Sequence, residues 1–188
     1  LVSGLLREPD RLLCRHGPSG RRCRPVDRPK LKIPSMVKDP VLIEKRRRQI
    51  VDAAVELFIH KGFHRTTTRE IAKASGFSIG TLYEYIESKE DVLYLVVEAI
   101  HGEVERRLRE ALCDSKSGIE MLKEAIRHFF KVMDEMQDSV LLMYQETKSL
   151  PPTHLPYVLR KEEEITGIFE ESCAAASPTA RFASTSRR

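Results

Sequence analysis

No stretch of eighteen consecutive apolar residues occurs in this 188-residue chain, so nothing in it reads as a membrane-spanning helix. Cysteine is sparse. Cys14, Cys23, Cys113 and Cys173 form no C-x-x-C pair, and no histidine cluster falls at ligand spacing, so no structural zinc site is expected. Scattered thiols without an export signal fit a reducing cytoplasm. The leading LVSGLLREPDRLLCRHGPSG interrupts its apolar run too often for a signal peptide. Paired carboxylates, an activated nucleophile and a phosphate-cradling glycine loop are also missing at convincing spacing. That argues against an enzyme and calls for no cofactor, catalytic residue or metal.

Basic charge is plentiful, but it is unevenly spread. The chain carries +4 overall, while residues 1–35 hold nine Lys/Arg against three acids, a net of +6. The remainder is therefore slightly acidic, at −2. Any nucleic-acid binding by residues 36 onward must rest on local placement of charge rather than on the total. Residues 1–35 have no period and many Arg and Pro, and they read as a disordered or non-native leader. Met36, just before VKDPVLIEKRRRQIV, is where a native chain is expected to begin; the alternative is a basic arm adding nonspecific phosphate contacts.

Residues 66–89, TTTREIAKASGFSIGTLYEYIESK, organise the rest. Three threonines offer hydroxyl caps to a helix that turns Ile71 and Ala72 inward. Gly76 is placed to end that helix, because a turn residue with positive φ is cheapest as glycine. Ser78 then caps a second helix whose Leu82 and Ile86 fall on one face at i, i+4 spacing, leaving Ile79, Gly80, Thr81 and Glu84 outside. Two short helices at a glycine corner form a helix-turn-helix, whose second helix reads base edges in the major groove. Upstream, residues 44–60 form an amphipathic helix with Ile50, Ala53, Ala54, Leu57 and Phe58 on its apolar face, and Phe63 folds back after Gly62. Its start carries Lys45, Arg46, Arg47 and Arg48, either a solvated basic turn or an arm for phosphates, with Arg47 the candidate contact.

The string T-T-x-R-E-I-A-x-x-S-G-F-S-x-G-T-L-Y-x-Y-I-x-S-K-E resembles the DNA-binding signature of TetR-type transcriptional regulators. The likeness extends back through KRRRQIVDAAVELFIHKGF and forward into DVLYLVVEAI, about a third of the chain. Ser75, Phe77 and Ile86 depart from the residues usual in that family, and all three are expected to be core positions. The resemblance implies an all-α fold: a three-helix reading head over 36–87, then a helical effector-binding and dimerisation domain over 88–171. It implies that Thr67 and Thr68 meet a phosphate where hydroxyls and free N–H groups coincide. Arg69 points outward, toward backbone or base, or stays a plain surface residue. Ser78, Ile79, Gly80 and Thr81 make the leading turn of the recognition helix. Gly80 costs about 1 kcal/mol of helix propensity, which close approach of the backbone to DNA would explain. Thr81 presents a hydroxyl or a methyl to a thymine. Tyr83 and Tyr85 are implied phosphate contacts, but the two cannot share one face of a helix, and the alternative is that one of them is a core aromatic. Lys89 opens the next helix beside a passing phosphate.

Further helical periods run over 88–112, 117–136, 138–150 and 154–171, broken by Pro151 and Pro152. Phe129, Phe130, Met133, Met136, Met143 and Tyr144 supply adaptable apolar surface, either bundle core or a cavity for a small apolar effector, with His128 and Glu146 as polar handles. After Glu171 the period is lost, and 172–188 reads as a disordered tail. With GC-ending codons chosen for 173–187, reading one nucleotide earlier yields an ordinary continuation. A frameshift near Ser172 is thus one expectation and a naturally short tail the other; the coding DNA separates them. The implied partners are double-stranded operator DNA and an apolar effector. A homodimer is expected for the family, but a chain without terminal dimerisation helices is expected to pair poorly. The functional expectation is a sequence-specific regulator, most simply a ligand-released repressor. The alternative is a helical interaction module or an inactive truncated regulator that no longer touches DNA.

Overall fold

The computed structural model describes residue 37 and residues 39–112 and 118–176. Among these are seven α-helices, one 3₁₀ turn and no strand: α1 Pro40–Lys61, α2 Thr68–Ala74, α3 Ile79–Tyr83, α4 Lys89–Leu112, α5 Gly118–Glu135, α6 Gln137–Glu146, the 3₁₀ turn Thr147–Ser149, and α7 Leu155–Ala176. The all-α expectation holds. The expectations for 1–35 and for 177–188 fall outside the described residues.

α4 is the axis of the molecule. Its residues Val92, Leu93, Tyr94, Leu95, Val96 and Val97 are all buried, so it is covered on every side rather than along one stripe. α1 and α6 pack on it near the head, and α5 and α7 pack on it and on each other to form the body. α1 begins earlier than periodicity alone suggests. Asp39 accepts hydrogen bonds from Val41 N and Leu42 N, and Pro40 sits at the first helical position, where its missing N–H costs nothing. The buried face of α1 is Ile50, Val51, Ala54, Val55 and Phe58. Ala53 and Leu57 stand at its margin rather than its centre, each half-buried. Phe63 closes this layer edge-on against Phe58, ring centroids 5.2 Å apart.

α7 extends past Glu171, where the loss of apolar period had suggested an end. Ser172 is fully buried and returns its hydroxyl to Ile168 O at 2.8 Å, and alanine at 174–176 is the best of helix formers. Gly76 takes φ +77°, a region where an L side chain is strained. Gly76→Ala should therefore destabilise the chain by about 1–2 kcal/mol in chemical denaturation. A Cβ there would meet nothing within 4 Å, so the loss reports backbone strain and not a clash.

Candidate nucleic-acid interface

The turn between α2 and α3 is built from local signals. Thr67 caps α2: Glu70 N donates to its hydroxyl at 3.3 Å, while Thr67 N donates back to the Glu70 carboxylate at 2.9 Å. The same hydroxyl donates to Glu70 at 2.8 Å, and Lys61 of α1 pairs with that carboxylate. Bonded by Lys61 first and then by Thr67, the Glu70 carboxyl is held down at about 2 and stays ionised throughout the working range. Ser78 caps α3, accepting from Thr81 N at 3.0 Å and donating to Thr81 Oγ1 at 3.0 Å. On the inner side, Ile71, Ala72, Leu82 and Ile86 are sealed.

What remains outside is a small continuous surface. Ser78, Ile79 and Gly80 are exposed and Thr81 is half-buried. Ile79, at 39% exposure, is an apolar side chain left in water at the start of the helix. The Tyr83 hydroxyl lies 3.2 Å from Thr68 Oγ1, which joins the end of α3 to the start of α2, and both groups reach solvent. Arg69 is exposed beside them. A Cβ on Gly80 would meet only Ser78 Oγ, at 3.8 Å, an ordinary contact. Packing within the protein does not demand glycine there.

The other residues singled out from the sequence are placed differently. Tyr85 is buried, 4% exposed, with its ring stacked 6.5 Å from Phe77. The two tyrosines thus divide: Tyr83 faces out and Tyr85 packs inward, as residues two positions apart, about 200° around a helical turn, do. Arg47 donates Nε and Nη2 to Tyr85 O at 3.3 and 3.2 Å, tying α1 to the end of α3, and partial burial lowers its basicity. Lys89 sends Nζ to Phe63 O at 3.0 Å and Thr66 O at 3.1 Å, and sits 4.3 Å over the Phe63 ring. Both cations hold the head together from within. The exposed Thr67 spends its hydroxyl on the cap beside an ionised carboxylate, while the half-buried Thr68 keeps its own on the solvent side next to Tyr83. Of the three departures from the family string, only Ile86 is fully buried. Ser75 and Phe77 are half-buried, Ser75 returning its hydroxyl to Ile71 O and Phe77 lying under Arg46 at 5.2 Å.

The family description "Bacterial regulatory proteins, tetR family" matches residues 50–94, spanning α1 through the first turns of α4. A crystal structure of a TetR/AcrR-family regulator from Thermobifida fusca YX-ER1 is 30% identical and superposes with a TM-score of 0.59 over 70% of this chain and 69% of that one. The chain belongs to the TetR family. A second TetR-family crystal structure, from Rhodococcus RHA1, is 26% identical with a TM-score of 0.65 over 72% of each chain. In sequence, the regulator HbdR of Aromatoleum sp. (strain CIB) is 30% identical over 145 residues, 77% of this chain and 63% of that protein. The chain spans less than two thirds of the length of the curated relatives it matches. The family match falls on the helix cluster α1–α3 and the start of α4, an arrangement consistent with a helix-turn-helix head followed by a helical bundle.

The candidate effector residues of the body do not converge. Met143 is buried in the core, while Tyr144, the next residue along α6, is 67% exposed. Glu146 turns toward the head, accepting from Ser149 Oγ at 3.0 Å and facing His64 Nε2 at 3.5 Å. His128 pairs with Glu124 at 3.4 Å and lines an open, charged depression with Arg107, Glu110, Lys131 and Glu135. Phe129 meets Phe169 edge-on at 5.4 Å, and Met133 is half-buried against the core. These side chains leave two helices, α5 and α6, in different directions. Among the described residues no group of three or more His, Cys, Asp or Glu could hold a metal ion, and no helix is long and apolar enough to cross a membrane.

Proposed function

We propose that this chain is a sequence-specific transcriptional regulator that binds double-stranded operator DNA through α2 and α3, and a repressor released by a small molecule. Its place of action is the cytoplasm, and its binding form is a homodimer whose two heads meet successive major grooves about one duplex turn apart. The observation that carries this reading is the outward turn 78–81. An exposed isoleucine and a glycine not required by internal packing stand at the tip of a helix whose opposite face is fully sealed. A bare backbone and a small apolar side chain suit close approach to base edges and to the thymine methyl.

In this assignment Thr81, Ile79 and Gly80 face the base edges. Thr68, Arg69 and Tyr83 hold phosphates, and Arg47, Tyr85 and Lys89 position the head. Selection of bound duplexes from a random pool, followed by fluorescence anisotropy on the enriched site, tests it. Thr81→Ala should relax preference at one base position by about 1–3 kcal/mol, and an unchanged preference would remove Thr81 from the reading face. Gly80→Ala should leave folding unchanged or raise stability by up to about 1 kcal/mol while weakening DNA binding. If Gly80→Ala binds DNA as tightly as the parent, the backbone does not approach the duplex there. A chain that selects no sequence and shows no salt-dependent binding is not a regulator of this kind.

A further inference from the structure

Arg46 and Phe77 meet across the head. The Arg46 guanidinium carbon stands 5.2 Å from the centre of the Phe77 ring, and Nη1 donates to Gln49 Oε1 at 3.1 Å. A cation within about 6 Å of a ring centroid is attracted by the negative face of the ring. Phe77 is itself held, because the buried ring of Tyr85 stacks on it at 6.5 Å with 27° between the planes. It is therefore a half-buried plate, anchored by a core aromatic and carrying a cation. Of the three departures from the family string it is the one with a cation over it.

The four cations at the start of α1 are used differently. Lys45 is exposed. Arg47 gives Nε and Nη2 to Tyr85 O, and Arg48 acts on the Asp52 carboxylate one turn on. Arg46 is held by an amide and a ring, two neutral partners that fix a planar guanidinium and leave its charge unspent. Its place is also telling. Phe77 immediately precedes Ser78, the cap of α3, so Arg46 stands beside the turn that leads into the exposed residues 78–80. Thr68 and Arg69 stand at the opposite end of α2, a helix of 7 residues and so about 10 Å long at 1.5 Å per residue. The major groove of B-DNA is about 12 Å wide between its phosphate walls. A head that lowers α3 into the groove with Thr68 and Arg69 at one wall brings the Phe77 end of α2 near the other.

We infer that Arg46 is a further phosphate ligand, on the groove wall opposite Thr68 and Arg69, and that Phe77 is the positioning residue that holds its guanidinium there. The inference rests on the DNA-binding reading above. It moves the contact made by the basic start of α1 from Arg47, which is turned inward, to its neighbour.

The test is fluorescence anisotropy of the full chain with the selected duplex over a range of salt, with urea denaturation of each variant alongside. Arg46→Ala should weaken binding to every sequence alike, roughly fivefold to tenfold at about 0.1 M salt, and lower the log–log salt slope by about 0.9. Its urea midpoint should stay nearly in place. Phe77→Leu should weaken binding about twofold to fivefold with the slope kept, and Phe77→Tyr, which retains the ring, should bind as the parent does. In an Arg46→Ala background Phe77→Leu should cost no further affinity, because the ring acts through the guanidinium. Should Phe77→Leu fold poorly, Phe77→Met takes its place, and the slope of Arg46→Ala needs neither. An unchanged slope in Arg46→Ala would take Arg46 off the phosphates, and an equal cost of the Phe77 change in both backgrounds would make Phe77 a packing residue only. Either result overturns the inference while the regulator reading stands, since the parent still selects a site. A parent that binds no duplex removes the two together.

Discussion

Between pH 6.5 and pH 4 the chain should lose about 3 kcal/mol of folding stability through one side chain, His101. Its imidazole lies inside the α4–α7 seam, and burial first, then the nearby Lys161 ammonium, push its pKa down from 6.5 to about 4, with Glu105 acting weakly the other way. The unfolded chain therefore binds a proton at pH values where the folded chain does not. Stability from this group is complete above the unfolded value and declines as pH falls from 6.5, levelling off near 4. His154 is shifted in the same direction by burial and adds to the slope. Glu105, although desolvated, is held below the ordinary carboxylate range by Arg109 and Lys161, so its own loss comes at more acid pH. Urea titrations at intervals across this window measure the effect. His101→Leu should flatten the curve and raise stability at pH 5, because an apolar group of similar size leaves no unpaired nitrogen. An identical slope in the variant would mean that His101 is solvated or paired in solution.

The reading head was legible in the sequence because its determinants are local. The capping box from Thr67 to Glu70, the positive-φ Gly76 and the Ser78 cap all act within three or four residues, and each is found where its chemistry places it. What periodicity could not supply was direction at the level of single side chains. Tyr83 and Tyr85 carry the same hydroxyl two positions apart, and which ring is buried is a matter of tertiary packing, Tyr85 stacking on Phe77. Arg47 and Lys89 look like phosphate ligands by type. Their partners are backbone carbonyls 38, 26 and 23 residues away, a distance no local pattern spans.

In the body the same shortfall is larger. Met143 and Tyr144 are neighbours in an apolar run, yet one is core and the other faces water. The polar stripe of α4, Tyr94, Glu98, His101 and Glu105 at steps of four, three and four, was present to be read. It is masked by the valines and isoleucine between its members, which give the helix its apolar character. Its partners at and after the start of α7, His154 just before the helix and Tyr157 and Lys161 within it, keep the matching steps of three and four, so the seam is a helix-pair feature invisible in either helix alone.

Replacing Lys89 by alanine should cost about 2 kcal/mol of stability and weaken binding to every DNA sequence alike, without changing the salt dependence of binding. The ammonium group donates to Phe63 O, which also accepts from Thr66 N, and to Thr66 O in the α1–α2 turn, and it caps the face of Phe63. Hydrogen bonds to a charged donor contribute more than neutral ones, and removing the donor takes them from two partly buried carbonyls at once. Since Lys89 is also the first residue of α4, this contact is where the body grips the head, so loosening it should degrade presentation of α3 rather than any single base contact. A residue that neutralised a phosphate would behave otherwise: its removal would leave stability nearly unchanged and reduce the log–log salt slope by about 0.9. Arg69→Ala, on the exposed side of α2, is expected to show that second pattern. Measured together by urea denaturation and anisotropy over a range of salt, the two variants separate a tie inside the head from a contact outside it. A reduced salt slope with undiminished stability in Lys89→Ala would return Lys89 to the DNA-facing surface.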